Sequence, residues 1–124
     1  MQKFDMFHIK ELKEFLYNSD THDAILQNIQ YDRDTRTLYV ETFYRKKTFF
    51  TFHNVKFILS ISGNWIGSCK EINSLTVEED ASYIQPFNQN YNIDLSHSLY
   101  LIFQMFSGDE IHVICDELYV DGIN

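Results

Sequence analysis

"RTLYVETFYR", residues 36–45, decides the fold. Leu38, Val40 and Thr42 fall on one side of an extended chain and Tyr39, Glu41 and Phe43 on the other, the two-residue period of a strand with one face toward a core. "AILQNIQYD", residues 24–32, precedes it, and Asp32 to Thr35, "DRDT", reads as the hairpin turn between the two. "KTFFTFHNV" (47–55) and "VKFILSIS" (55–62) continue in β-branched and aromatic residues until "SGNW" (62–65) breaks the run. "INSLTVEED" (72–80) adds a short strand. "SLYLIFQMF" (98–106) and "IHVICDELYV" (111–120) are joined by "SGDE" as a further hairpin. Its inward residues are expected to be Leu101, Phe103 and Met105 on one strand and Ile111, Val113 and Cys115 on the other.

One segment has a different period. In "DMFHIKELKEFLYN", residues 5–18, Ile9, Leu12, Phe15 and Leu16 recur at helical spacing, while Lys10, Glu11, Lys13 and Glu14 lie off that stripe. A helix from about Asp5 to Tyr17 follows, capped by Asp5 and packed on a sheet. "YIQPFNQNYNIDLSHS" (83–98) is the least regular stretch, and Pro86 with the run from Asn88 to Asn92 reads as a loop. At 124 residues the chain fits one domain, 1–124, with one core. The expected architecture is mainly β: an antiparallel sandwich or partly open barrel with one N-terminal helix, α+β by strict count.

Composition narrows the function classes. Aromatic residues make up 16% of the chain, with eleven Phe, eight Tyr and Trp65, which suits half-buried pleated surfaces. The opening residues lack the apolar run of a signal peptide, no stretch reaches the length of a membrane span, and a cytoplasmic location is the expectation. Cys69 and Cys115 read as free thiols in a reducing compartment. Charge divides unevenly: residues 1–70 hold all ten Lys and Arg against eight acids, and residues 71–124 hold ten acids and no Lys or Arg, so the halves carry +2 and −10. Such a surface keeps the chain in solution and opposes nucleic-acid binding; it also attracts a basic partner. "YRKKTF" (44–49), the only basic cluster, reads as a charged hairpin turn.

Within "YNSDTHDAI", residues 17–25, the His22-Asp23 pair raises the question of metal-dependent hydrolysis. That chemistry needs further His and Asp ligands on helices, whereas His8, His53, His97 and His112 show no ligand spacing and the pair precedes a strand. The polar residues here satisfy backbone groups at a corner instead, so the expectation is no catalytic residue, no metal and no cofactor. There is no nucleophile elbow, "NWIGSCKE" (64–71) offers no base, and no glycine loop can cradle a phosphate. Asp109-Glu110 falls at a hairpin tip and Asp116-Glu117 interrupts a strand, as acids on a solvated face do.

"HDAILQNIQYD", Leu38 and "FTFHNVKF" (50–57) together resemble a group of small bacterial β-rich proteins, through His22, Asp23, Ile25, Ile29, Tyr31, Phe52 and Val55. Some members of that group look like immunity proteins of polymorphic-toxin systems, which bind a toxin and block it. The resemblance implies a non-enzymatic, protein-binding role. Charge then points to a basic protein partner held by Glu78, Glu79, Asp80, Asp109, Glu110, Asp116, Glu117 and Asp121, with an exposed Tyr or Trp65 as anchor. Two alternatives stand beside it: a small ligand- or carbohydrate-binding sandwich that uses exposed rings, and a hydrolase built around His22-Asp23.

Overall fold

Asp5 starts the helical segment. Its backbone is extended, at φ −135° and ψ −175°, and its Oδ1 accepts the Phe7 N–H at 3.0 Å and lies 2.7 Å from His8 Nδ1, so it satisfies an orphan donor of the first turn. A single 3-10 turn, Met6–His8, leads into α1, Ile9–Asn18. Leu12 and Leu16 are buried, with Ile9 and Phe15 packed at the core's margin. Ser19 stops the helix: its hydroxyl donates to the Leu16 carbonyl at 2.9 Å. The four residues before the helix were not legible as structure, yet they form a strand, β1 (Gln2–Asp5).

The computed structural model describes residues 1–62, 71–79, 85–88 and 96–123. Among them the remaining strands are β2 (Ile25–Asp32), β3 (Thr37–Tyr44), β4 (Lys46–His53), β5 (Phe57–Ile61), β6 (Ile72–Glu78), β7 (Leu99–Met105), β8 (Glu110–Cys115) and β9 (Glu117–Ile123). A one-turn helix, α2 (Gln85–Asn88), holds Pro86; this replaces the expected loop at Asn88, and residues 89–92 of that run lie outside the described residues. Five strands form one antiparallel sheet in the order β1-β9-β4-β3-β2, and four form a second in the order β5-β8-β7-β6. The result is the mainly β, sandwich-like arrangement expected from the alternation, with α1 packed against β6 and β1.

Turn chemistry sets the registers. Asp32 Oδ1 accepts the backbone N–H groups of Asp34 and Thr35, so the β2–β3 connection lies where "DRDT" places it. Arg45, at φ 64°, turns β3 into β4, and Leu38 and Val40 come opposite Phe52 and Phe50. Gly108, at φ 89°, turns β7 into β8. All of these inward residues are buried, and the Phe103 ring meets Phe50 and Phe52 edge-on at 6.2 and 6.1 Å between the sheets. Cys115 is a free, buried thiol in this core, and Cys69 lies outside the described residues.

One expectation needs correcting. "IHVICDELYV" is two strands, broken at Asp116, and they belong to different sheets: β8 pairs with β5 and β9 pairs with β4. Residues 54–56 make the matching break between β4 and β5. A two-stranded ribbon therefore runs through one sheet, bends, and continues through the other. The bend is held by Asp116 N–H to the His53 carbonyl at 3.1 Å and Lys56 N–H to the Ile114 carbonyl at 2.8 Å, while Asn54 takes the left-handed conformation at φ 52°. The physical reason is parity: Val113, Cys115, Leu118 and Val120 are all buried, and no single strand points residues 115 and 118 to the same face.

Candidate functional site

His22 and Asp23 stand where the other edges of the sheets meet. Asp23 adopts φ 72° and donates its N–H to the Ile72 carbonyl at 2.9 Å, and Ile72 returns one to Ala24 at 2.8 Å. Ile25 and Glu71 form a lone bridge beside them. The His22 ring donates from Nδ1 to the Asn73 carbonyl and tilts against Phe106 at 6.4 Å. Its Nε2 is 3.6 Å from the Asp23 carboxylate. This corner joins β2 to β6 without closing a barrel. Among the described residues, no three His, Cys, Asp or Glu side chains gather as a metal site would need.

The described candidate acids of the C-terminal half are spread over four places. Glu117 and Asp121 lie on the outer face of β9, where Glu117 meets Lys3 at 3.5 Å and the Tyr119 hydroxyl at 2.9 Å; Asp121 is 3.9 Å from the N-terminal ammonium. Asp109 and Glu110 lie at the β7–β8 turn. Asp116 sits at the sheet bend, where its carboxylate takes Lys56 Nζ at 3.0 Å, the Ser98 hydroxyl at 3.3 Å and the Asn54 amide. Glu78 ends β6 and Glu79 follows it. Glu78 accepts the Thr76 hydroxyl at 3.2 Å, and Glu79 pairs with Lys13 of α1 at 3.2 Å. Asp80 and Trp65 lie outside the described residues.

Of these groups, Glu78 and Glu79 line a concave surface. A cleft of about 440 Å³ opens between the start of the helical segment and the outer face of the second sheet, lined by Met6, Ile9, Glu78, Glu79, Ser96, Ser98, Tyr100 and Ile114. Its apolar floor was not anticipated, because Tyr100 and Ile114 occupy the outward positions of β7 and β8. They are nonetheless buried and form a second, smaller cluster with Phe57 and Ile102. The unbroken apolar run "LYLIF" was the available signal, since a strand covered on both faces loses its alternation. Phe7, exposed beside Met6, stacks on His97 at 6.4 Å with an interplanar angle of 25°.

Behind the floor lies a buried polar chain. The Tyr100 hydroxyl and His112 Nδ1 are 2.6 Å apart, and His112 Nε2 is 2.9 Å from Glu110 Oε1. A carboxylate can only accept, so in the neutral ring Nε2 carries the proton and Nδ1 takes the one from Tyr100. His112 is 1% exposed, and this satisfied chain fixes the Tyr100 ring in the cleft floor. Ser98 is likewise held between Lys56 and Asp116. The arrangement is a partly apolar recess lined by two carboxylates, suited to holding a group that is both aliphatic and cationic. No described helix is long and apolar enough to cross a membrane. No family model and no curated protein matches the sequence.

Proposed function

We propose that this chain is a binding protein for a basic protein partner, acting as immunity proteins do when they hold and block a bacterial toxin, and that the Glu78–Glu79 cleft receives a lysine or arginine of that partner. The observation that carries the reading is the cleft itself, where Met6, Ile9, Tyr100 and Ile114 form a floor beneath the two carboxylates. Lys and Arg have apolar stems and charged heads, so the stem lies along such a floor while the head reaches Glu78 or displaces Lys13 from Glu79. The net charge of −8 adds long-range attraction that speeds encounter and repels acidic competitors. Phe7, exposed next to Met6 in the sequence, supplies the aromatic contact that charge alone does not.

The test is capture of partners from the native cell by the immobilised chain, followed by association kinetics with the purified partner. A basic protein should be retained, its association should slow with added salt, and Glu78→Lys with Glu79→Lys should abolish capture while Asp121→Lys, on the far face, reduces it slightly. Equal capture by both variants would sink the assignment of the cleft. An adjacent toxin gene would identify the partner directly.

One observation favours the carbohydrate alternative. Strand register aligns Tyr39, Thr51, Tyr119 and Lys3 in a row across the outer face of the five-stranded sheet, with Phe43 exposed nearby. Exposed rings flanked by polar side chains are the elements of a sugar-stacking face. Saturable binding to a glycan array, lost in Tyr39→Ala, would support that reading over the first. For the hydrolase, no further ligand joins His22 and Asp23 among the described residues.

A further inference from the structure

The outer edge of β2 is the end of the five-stranded sheet. Its first residue, Ile25, bridges Glu71, the residue before β6, and among the described residues no strand pairs with the far side of residues 28–32. Such an edge presents a row of backbone donors and acceptors, which proteins commonly guard with Lys, Pro or a bulge. β2, "ILQNIQYD", has no Lys, Arg or Pro. Its bulge lies between Leu26 and Asn28, so residues 28–32 keep a regular register with β3. Ile29 and Tyr31 stand opposite Val40 and Leu38 on the inner side of the sheet; those two partners are buried, yet Ile29 and Tyr31 remain 41% and 42% exposed.

We propose that β2 pairs antiparallel with β2 of a second copy of this chain about a two-fold axis at Gln30, so that Ile29 of each copy packs against Tyr31 of the other. Two five-stranded sheets then become one continuous sheet, and the exposed inner-face residues cover each other as aliphatic–aromatic cross-strand pairs. The same register sets the Asn28 amide opposite the Asp32 carboxylate. An axis at Ile29 would oppose Tyr31 to the bulged Gln27, and one at Tyr31 would bring Ile29 against Arg33 of the turn, so Gln30 is the centre that uses the whole regular stretch. Charge selects the occupant. Residues 25–31 carry no charge in a chain of net charge −8, so here two acidic copies meet with least repulsion, while a basic partner finds nothing to attract it.

Sedimentation equilibrium of the full chain over a range of concentrations tests the pairing. A monomer–dimer equilibrium is expected, and Ile29→Lys, placing the usual edge guard at an already exposed position, should weaken it by at least about tenfold with an unchanged circular dichroism spectrum. A second variant reads the register. Opposed residues of antiparallel strands have Cα atoms roughly 4.5–5.5 Å apart, within disulfide reach. In a Cys69→Ser background, Gln30→Cys should therefore give a covalent dimer on mild oxidation, whereas Asn28→Cys and the background chain itself should not. A monomer at every concentration, a dimer indifferent to Ile29→Lys, or linkage at residue 28 as fast as at residue 30 would each overturn the proposal.

Discussion

Asp116 stands at the point where two strands change sheets together, and its carboxylate gathers Lys56, Asn54 and Ser98. Partial burial alone would raise its pKa, but the hydrogen bonds from Lys56, Asn54 and Ser98, with the charge of Lys56, outweigh that and hold it below the ordinary value of 3.8. A lowered folded-state pKa contributes stability that is complete above the unfolded value and is lost as pH falls through the folded one. Urea unfolding between neutral pH and pH values below 3.8 should show that loss. Asp116→Asn should cost about 1 kcal/mol at neutral pH, given the partial exposure of the site, and should flatten the acid decline. An acid decline as steep as the parent's would show that the carboxylate is not its source. Asp5, lowered chiefly by its His8 hydrogen bond, adds to the same slope. Next to Asp116, burial pushes the Cys115 thiol far up, and the thiolate is the reactive form. In a Cys69→Ser background, therefore, the native protein should be inert to a thiol reagent and should react fully once unfolded.

At the scale of elements, α1 is held by packing more than by its cap. Leu12→Ala removes a fully buried side chain and should cost about 2–5 kcal/mol, whereas Asp5→Ala, which removes one capping interaction, should cost about 1 kcal/mol. Denaturant midpoints of the two variants check the order, and a larger loss at Asp5 would mean that the entry turn, not the apolar stripe, secures the helix. The stripe and the strands with strict alternation were legible because each repeats its period over enough residues to show a face. β1 was not: in Gln2–Asp5 one apolar residue, Phe4, faces the core, and four residues with one such position have no period. The sheet bend at Asp116 was legible in principle, as the three-residue step from Cys115 to Leu118 within an inward series. Of the candidate site, the carboxylates Glu78 and Glu79 could be read as charge. The cleft could not, because Met6 and Ile9 meet Tyr100 and Ile114 across most of the chain's length, and the Lys13 partner of Glu79 has no local signature.

The same folding reorganises the charge of the whole molecule. The +2 half and the −10 half do not stay apart: Lys3 meets Glu117, Lys13 meets Glu79, Lys56 meets Asp116 and the N-terminal ammonium approaches Asp121, each a cation of the first 70 residues beside an acid of the remainder. Pairs as exposed as most of these contribute little individually and weaken with salt, so they do not explain why the sheets stay together. The ribbon does. β4 with β9 and β5 with β8 carry one antiparallel ladder through both sheets, and Phe50, Phe52 and Phe103 fill the space between them. Neither sheet can open without breaking that ladder at the bend or exposing those rings to water, so the two sheets should unfold as one unit. Native-state hydrogen exchange is the decisive measurement. Amides of β3 and β4 in one sheet and of β7 and β8 in the other should exchange with the same free energy, equal to that of global unfolding, and far- and near-ultraviolet circular dichroism should give coincident denaturation curves. If one sheet exchanges through an opening clearly cheaper than global unfolding, the bend at Asn54 and Asp116 is a hinge between separable layers and the continuous-ladder account of stability is wrong.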